Sequence, residues 1–208
     1  MELKLKVCGM KYAANIAAVA ALAPAYMGFI FYPKSPRFMN EISAELIKYV
    51  PGSIKTTGVF VDENIEIVKA YILKHQLKAV QLHGKESIAY CREIKSMGVE
   101  VMKAFGVNEH FDFDQLSAYQ EVVDYFLFDT QTAAYGGSGK VFDWKLLAQY
   151  TLEKPYFLSG GISMDHVASI QEINDPRLYA VDINSKFEIE PGLKDVEKIK
   201  EFFKEMKL

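Results

Sequence analysis

Hydrophobic positions along the chain follow two alternating periods. Short apolar runs of strand length recur at Leu3–Cys8, Met27–Phe31, Thr57–Val61, Ala79–Leu82, Val99–Phe105, Tyr125–Asp129, Tyr156–Ser159 and Tyr179–Ile183. Between them lie stripes of helical spacing. Ile16, Val19, Ala20 and Ala23 share one face, as do Ile65, Val68 and Ile72, and as do Val196, Ile199, Phe203 and Met206, with Lys and Glu turned outward. Runs such as Met27–Phe31 do not alternate, which suits parallel strands covered on both faces. Eight strand-plus-helix units in series predict an α/β fold, a (β/α)8 TIM barrel forming one domain over residues 1–208. A doubly wound sheet would suit five or six units better.

Length sharpens this. The chain has 208 residues, so 208/8 leaves 26 per unit, near the lower end for such barrels, which typically take about 250 residues. Most connections must then be minimal, and two exceptions stand out. Residues 32–40 follow the second strand and carry Pro33, Lys34, Ser35, Pro36 and Arg37; residues 130–142 follow the sixth and carry Gly136, Gly137, Ser138, Gly139 and Lys140. Both fall after strands, on the face where barrel active sites form, and long loops in compact domains often serve as lids.

Charge and cysteine content narrow the class. The balance of 24 Lys+Arg against 27 Asp+Glu gives −3, without the basic excess of a nucleic-acid-binding protein. No apolar run reaches the ~20 residues of a membrane span. Met1-Glu2-Leu3-Lys4 lacks the form of a signal peptide. Two cysteines, Cys8 and Cys91, make neither a disulfide framework nor a zinc pattern, so a cytoplasmic location is expected.

Candidate chemistry gathers at strand ends. Cys8 closes the first run, where a thiol can act as a base if its pKa falls; a buried core cysteine is the alternative. Cys91 lies between Ile88 and Ile94 on a helical stripe and reads as core. Asp129 and Asp182 end the sixth and eighth runs. Desolvation by the four apolar residues before Asp129 would raise its pKa and let it carry a proton; helix capping or a salt bridge is the alternative. Gly160 and Gly161, with Asn184, Ser185 and Lys186, follow the seventh and eighth strands, where barrels bind phosphate. For the glycines, a turn needing positive φ explains the same residues. Residues 136–140 do not make a Walker A loop, since Ala134 and Val141 stand where Gly and Ser/Thr belong. The four histidines show no metal-pair spacing, and His83 reads as a residue shaping the site. Arg37 suits a carboxylate clamp or a solvated surface.

Taken in order, these stretches resemble one family, the phosphoribosylanthranilate isomerases of tryptophan biosynthesis. The likeness is carried by Lys6-Val7-Cys8-Gly9, Gly28 to Arg37, Gly58-Val59-Phe60-Val61, Val80-Gln81-Leu82-His83-Gly84 and Phe128-Asp129. It continues through Tyr135 to Lys140, Phe142-Asp143-Trp144, Leu158 to Gly161, Val181-Asp182 and Pro191 to Asp195. The resemblance implies an Amadori rearrangement of N-(5-phosphoribosyl)anthranilate, without metal or redox cofactor. It implies Cys8 as general base and Asp129 as general acid. Arg37 would meet the anthranilate carboxylate, with His83 and Asp182 as further substrate contacts. Gly160, Gly161, Ser185 and Lys186 would bind phosphate, and Gly136, Gly137, Ser138 and Gly139 would form a lid. The expected partner is the small phosphosugar–anthranilate substrate, with no nucleic acid and no membrane, in a monomer or homodimer. One departure is Asn184-Ser185-Lys186-Phe187-Glu188, where the family usually reads Ser-Ser-Gly-Val-Glu. Lys186 would crowd the phosphate if its φ is positive, or help neutralise it. Two other readings follow: an impaired phosphosugar-binding barrel, for which Lys186 is the support, or a related aminoaldose–aminoketose isomerase of histidine and tryptophan intermediates. Those bifunctional barrels carry Asp at the first strand end, where this chain has Cys8.

Overall fold

A computed structural model describes residues 2–130 and 142–208. The described residues form eight parallel strands closed into a barrel in sequence order: β1 (Lys4–Val7), β2 (Tyr26–Ile30), β3 (Lys55–Phe60), β4 (Ala79–Leu82), β5 (Glu100–Val107), β6 (Tyr125–Thr130), β7 (Tyr156–Leu158) and β8 (Leu178–Ile183). β1 closes the ring on β8, with Lys4 opposite Ala180 and Lys6 opposite Asp182. The eight sequence runs match these strands, with ends shifted by a residue or two.

The helical layer is thinner than the eight expected units. The chain forms α1 (Ala13–Ala20), α2 (Ala44–Ile47), α3 (Ile65–His75), α4 (Ile88–Lys95), α5 (Val167–Gln171) and α6 (Val196–Met206). After β5 the connection is a 3-10 helix over Phe113–Tyr119, and before β7 another spans Trp144–Gln149. A 3-10 helix rises about 2.0 Å per residue against 1.5 Å for an α-helix, so it spans a strand with fewer residues. Caps set several boundaries: Asn64 accepts from Glu66 N–H at the start of α3, and Asp195 from Lys198 N–H at the start of α6. Two helical stripes shift. Ala23 lies beyond α1 with φ of +54°, and in α6 it is Phe202 that is fully buried while Phe203 is only half-buried. Cys91 is fully buried, as its stripe predicts.

Most of the core lies between barrel and helices, where Val7, Phe29, Val80, Val101, Phe128 and Ile199 pack. A second cluster, Tyr26, Ala79, Met102, Ala104, Leu127, Phe157 and Ala180, fills the lumen. Tyr26 meets Phe157 edge-on at 5.2 Å between ring centroids, and Tyr125 stacks on Tyr179 at 4.6 Å. This aromatic plug closes the barrel below the polar groups of the mouth.

His75, the last residue of α3, is 3% exposed. Its Nδ1 lies 3.1 Å from Ile42 O, and its ring stacks on Phe31 at 5.6 Å. Burial lowers its pKa below the usual imidazole range, against the opposing bond to Ile42. The unfolded chain therefore binds a proton that the native state refuses, and stability falls as pH drops through the free-imidazole range toward the lowered native value. Denaturant midpoints measured across acid and neutral pH should show this loss in the wild type. In His75→Phe, which keeps the stacking, they should show less of it.

Candidate functional site

Side chains alternate across each strand, so Val59 and Val61, Gln81 and His83, and Leu127 and Asp129 all face the lumen. All of these but Leu127 line a cleft of about 770 Å³, open solvent at its mouth included, at the C-terminal ends of the strands, together with Cys8, Ser159, Gly160, Gly161, Asp182, Asn184 and Ser185. A wider groove outside the barrel runs from Phe142 to Arg177. Its Asp175 and Arg177 are bonded to each other.

Under the mouth lies a buried charged group. Lys6 is fully buried, and its Nζ donates to Asp182 Oδ2 and to Gln81 Oε1, each at 2.7 Å. Burial opposes the ammonium, but the Asp182 carboxylate and the neighbouring Cys8 outweigh it and hold the Lys6 pKa above the usual lysine range. Cys8 follows β1 and is 4% exposed. Burial pushes its thiol up, while Lys6 and Lys194 pull it back. The lowered pKa that a resting thiolate would need is thus absent; the two cations instead favour the thiolate once it forms. Gly28 has no room for a side chain, since a Cβ there would lie 2.8 Å from Cys8 Sγ.

Asp129 is less enclosed than the apolar run before it predicts. Its side chain is 21% exposed, with Oδ1 accepting from Thr130 N–H at 2.7 Å and Oδ2 lying 3.3 Å from His83 Nε2. Polar neighbours rather than a hydrocarbon cage surround the carboxyl. Gly160, with φ of +90°, makes this possible: a Cβ there would lie 2.5 Å from Asp129 Oδ1. Gly160 therefore serves the turn and the close approach to Asp129 as well as lining the cleft. Asp182 is buried, and its Oδ1 has no hydrogen-bond partner among the described residues.

Arg37 is neither solvated nor open on every side. Nε donates to both oxygens of Glu188, at 2.9 and 3.0 Å, and Nη2 donates to Oε2 at 2.6 Å. Gly9 lets Arg37 pass beside Cys8, since a Cβ there would lie 2.7 Å from Arg37 Cδ. Glu188 also accepts from Lys194 Nζ at 2.6 Å and from Gly192 N–H at 3.0 Å. Lys194 Nζ reaches Asn184 Oδ1 at 2.7 Å. Burial lowers the Lys194 pKa to about 8, with Glu188 opposing. The hairpin of β9 (Glu188–Glu190) and β10 (Leu193–Lys194) is thereby tied to the rim.

Ser185 lines the cleft, whereas Lys186 is exposed and does not. Lys186 is not among the residues with positive φ, so the Cβ clash feared from the missing glycine does not arise. Residues 136–139, the expected lid, lie outside the described residues. Sequence reasoning missed Lys6, Gln81, Glu188 and Lys194. A lysine inside a strand two residues before Cys8 was a signal for the first; the others needed the fold. It also missed Glu86, which pairs with buried Lys103 at 3.2 Å and accepts from Gly84 N–H and Asp62 N–H, steadying the loop after His83.

Fold and mouth together define a small (β/α)8-barrel enzyme with acid–base groups at the strand ends and glycine turns beside them. Residues 5–205 match the N-(5'-phosphoribosyl)anthranilate (PRA) isomerase family. The chain is 43% identical over 204 residues to the N-(5'-phosphoribosyl)anthranilate isomerase of Parabacteroides distasonis, covering 97% of this chain and 92% of that one. It is 38% identical over 206 residues to that of Thermotoga petrophila, with 98% of each chain covered. Among solved structures, the phosphoribosyl anthranilate isomerase of Thermotoga maritima superposes with a TM-score of 0.85 at 37% identity, over 99% of this chain and 98% of that one. A further isomerase structure, holding reduced 1-(o-carboxyphenylamino)-1-deoxyribulose 5-phosphate, gives 0.81 at 33% identity, with the same coverage. The chain belongs to the PRA isomerase family, and it is an isomerase of tryptophan biosynthesis.

Removing the carboxylate that Arg37 and Lys194 share leaves two cations facing each other in a nearly closed space. Glu188→Gln should lower stability by about 3–5 kcal/mol, read as a shift in the urea midpoint. An unchanged midpoint would show that the ion cluster is not holding the hairpin.

Proposed function

We propose that this chain converts N-(5'-phosphoribosyl)anthranilate to 1-(2-carboxyphenylamino)-1-deoxyribulose 5-phosphate with Asp129 as general acid and Cys8 as general base. The observation that carries the assignment is that one cleft holds both groups, each at the end of an inward-facing strand. Protonation of the ribose ring oxygen by Asp129 breaks the bond from C1 to that oxygen and leaves an iminium at C1. Cys8 gives its thiol proton to solvent, the iminium acidifies the C2 proton, and the thiolate so formed removes it, giving an enolamine. Lys6 and Lys194 favour the thiolate electrostatically. Tautomerisation to the ketone completes the isomerisation, and the proton that Cys8 gave to solvent is made good to Asp129 from solvent. Each step pairs a proton transfer with a shift of electrons inside the substrate, so the isomerisation requires no external oxidant or reductant.

Substrate contacts follow from unsatisfied groups. Asp182 lines the cleft, and its Oδ1, buried and without a partner among the described residues, is the acceptor for a ribose hydroxyl. Arg37 uses Nε and Nη2 on Glu188, which leaves its Nη1 end for the anthranilate carboxylate, a pairing that guanidinium geometry favours. His83 lines the cleft beside Asp129. Gly160, Gly161 and Ser185 bind the phosphate through the turns that follow β7 and β8, and Lys186, outside the cleft lining, adds a screened surface charge beside it. One barrel holds every residue the mechanism uses, so a monomer suffices and a homodimer is compatible; a Thermotoga maritima relative is described as dimeric. No helix among the described residues is long and apolar enough to cross a membrane, and two free cysteines suit a reducing cytoplasm.

Loss of anthranilate fluorescence on freshly made substrate tests the reading. Cys8→Ser and Asp129→Asn should each lower kcat by about a hundredfold or more while unfolding at nearly the wild-type temperature. Full activity in either sinks the mechanism. Lys186→Gly should leave KM within about twofold, as expected for an exposed charge; a large drop in KM would mean that Lys186 obstructs the phosphate.

A further inference from the structure

Gln81 sits on β4 between two groups that fix the direction of its amide, and it is 2% exposed. Lys6 Nζ donates to its Oε1 at 2.7 Å. An ammonium only donates, so the oxygen end of the amide is assigned and Nε2 faces the other way. Nε2 lies 2.7 Å from His83 Nδ1. An amide nitrogen donates, so Nδ1 accepts and the ring carries its proton on Nε2. That nitrogen lies 3.3 Å from Asp129 Oδ2. Three hydrogen bonds thus run from Asp182 through Lys6 and Gln81 to His83, and the ring then faces Asp129 at 3.3 Å, so the line crosses the barrel from β8 through β1 and β4 to β6.

We propose that Gln81 is a positioning residue for the isomerisation: locked by Lys6, it holds His83 in the Nε2–H tautomer, which donates to Asp129 and orients the carboxyl that protonates the substrate. Thr130 N–H fixes Oδ1 at 2.7 Å, and His83 Nε2 stands 3.3 Å from Oδ2, close enough to close onto the carboxyl when substrate fills the cleft. Reversing the amide or removing its donor releases the imidazole, and Asp129 loses the N–H that faces its Oδ2. A wrong tautomer can cost an acid–base site far more than the hydrogen bond alone. The proposal rests on Asp129 being the acid of the reaction above.

Two substitutions test it. Gln81→Glu keeps the acceptor that Lys6 needs and replaces the donor facing His83 with a second acceptor. Nitrogen-15 NMR of the imidazole, assigned with a His83→Asn control, should show the His83 proton on Nε2 in the wild type and on Nδ1 in Gln81→Glu. In the same variant kcat should fall about tenfold to a hundredfold, with KM changed much less. Gln81→Met, of similar length but without a donor, is the second variant, and it should lose the Nε2–H preference. Retention of that tautomer in both variants overturns the proposal, as does an inverted tautomer with kcat unchanged. Failure of the acid assignment is a separate result: it shows as full turnover in Asp129→Asn, whereas the His83 tautomer is read without turnover.

Discussion

A fully buried ammonium inside a closed barrel dictates the arrangement of this mouth. Lys6 has no exposed surface, and an unpaired charge there would cost several kcal/mol. Asp182 from β8 and Gln81 from β4 meet it at 2.7 Å. Lumen positions on three strands are thereby occupied by one requirement. The same cation lies against Cys8, so the group that must lose a proton sits where positive charge is already supplied. Buried ion pairs are weak evidence for stability, and apolar replacements are often as stable. The best account of this one is therefore its effect on the groups around it.

A second set of charges does a different job at the rim. Glu188 gathers Arg37, Lys194 and the Gly192 N–H, contacts made between segments as much as 151 residues apart. It fastens the hairpin that follows β8 to the loop that follows β2. Glycines make the approach possible at the places where chain meets chain: Gly9 lets Arg37 and Asn184 come close, and Gly160 lets the β7 turn reach Asp129. The loops therefore take their positions from charge pairing above a scaffold set by apolar packing.

Much of this was legible in the chain, and the limits have physical causes. The strands read clearly because both faces of a parallel sheet are covered, so the runs stay apolar. Val80, Phe126 and Val181 could be placed without any knowledge of partners. The connection over Phe113–Tyr119 was not legible as a 3-10 helix, because the choice between windings depends on the span to be crossed. In the site, Cys8, His83, Asp129 and Asp182 were visible as polar residues ending apolar runs. Arg37 was visible, but its engagement by Glu188 was not, since the pairing exists only once the barrel closes. Lys6 left one signal, a lysine inside a strand run two residues before Cys8, while Gln81 was hidden because a single polar residue does not break the pattern.

The lumen divides by height, and this division connects the fold to the chemistry. Its lower part is filled by Tyr26, Met102, Leu127 and Phe157, with Tyr26 OH bonded to Glu100 at 2.9 Å. That packing admits no solvent to Lys6 from beneath. Access to the charged layer is therefore from the mouth, where Asp129 and His83 are each about one-fifth exposed. Electrostatic interactions strengthen as water is excluded, so Lys6 acts on Cys8 more strongly than a surface lysine would. A substrate filling the cleft removes the remaining water from above. The pull of Lys6 and Lys194 on the thiolate then rises to oppose the burial that raises the Cys8 thiol, at the moment the C2 proton must leave.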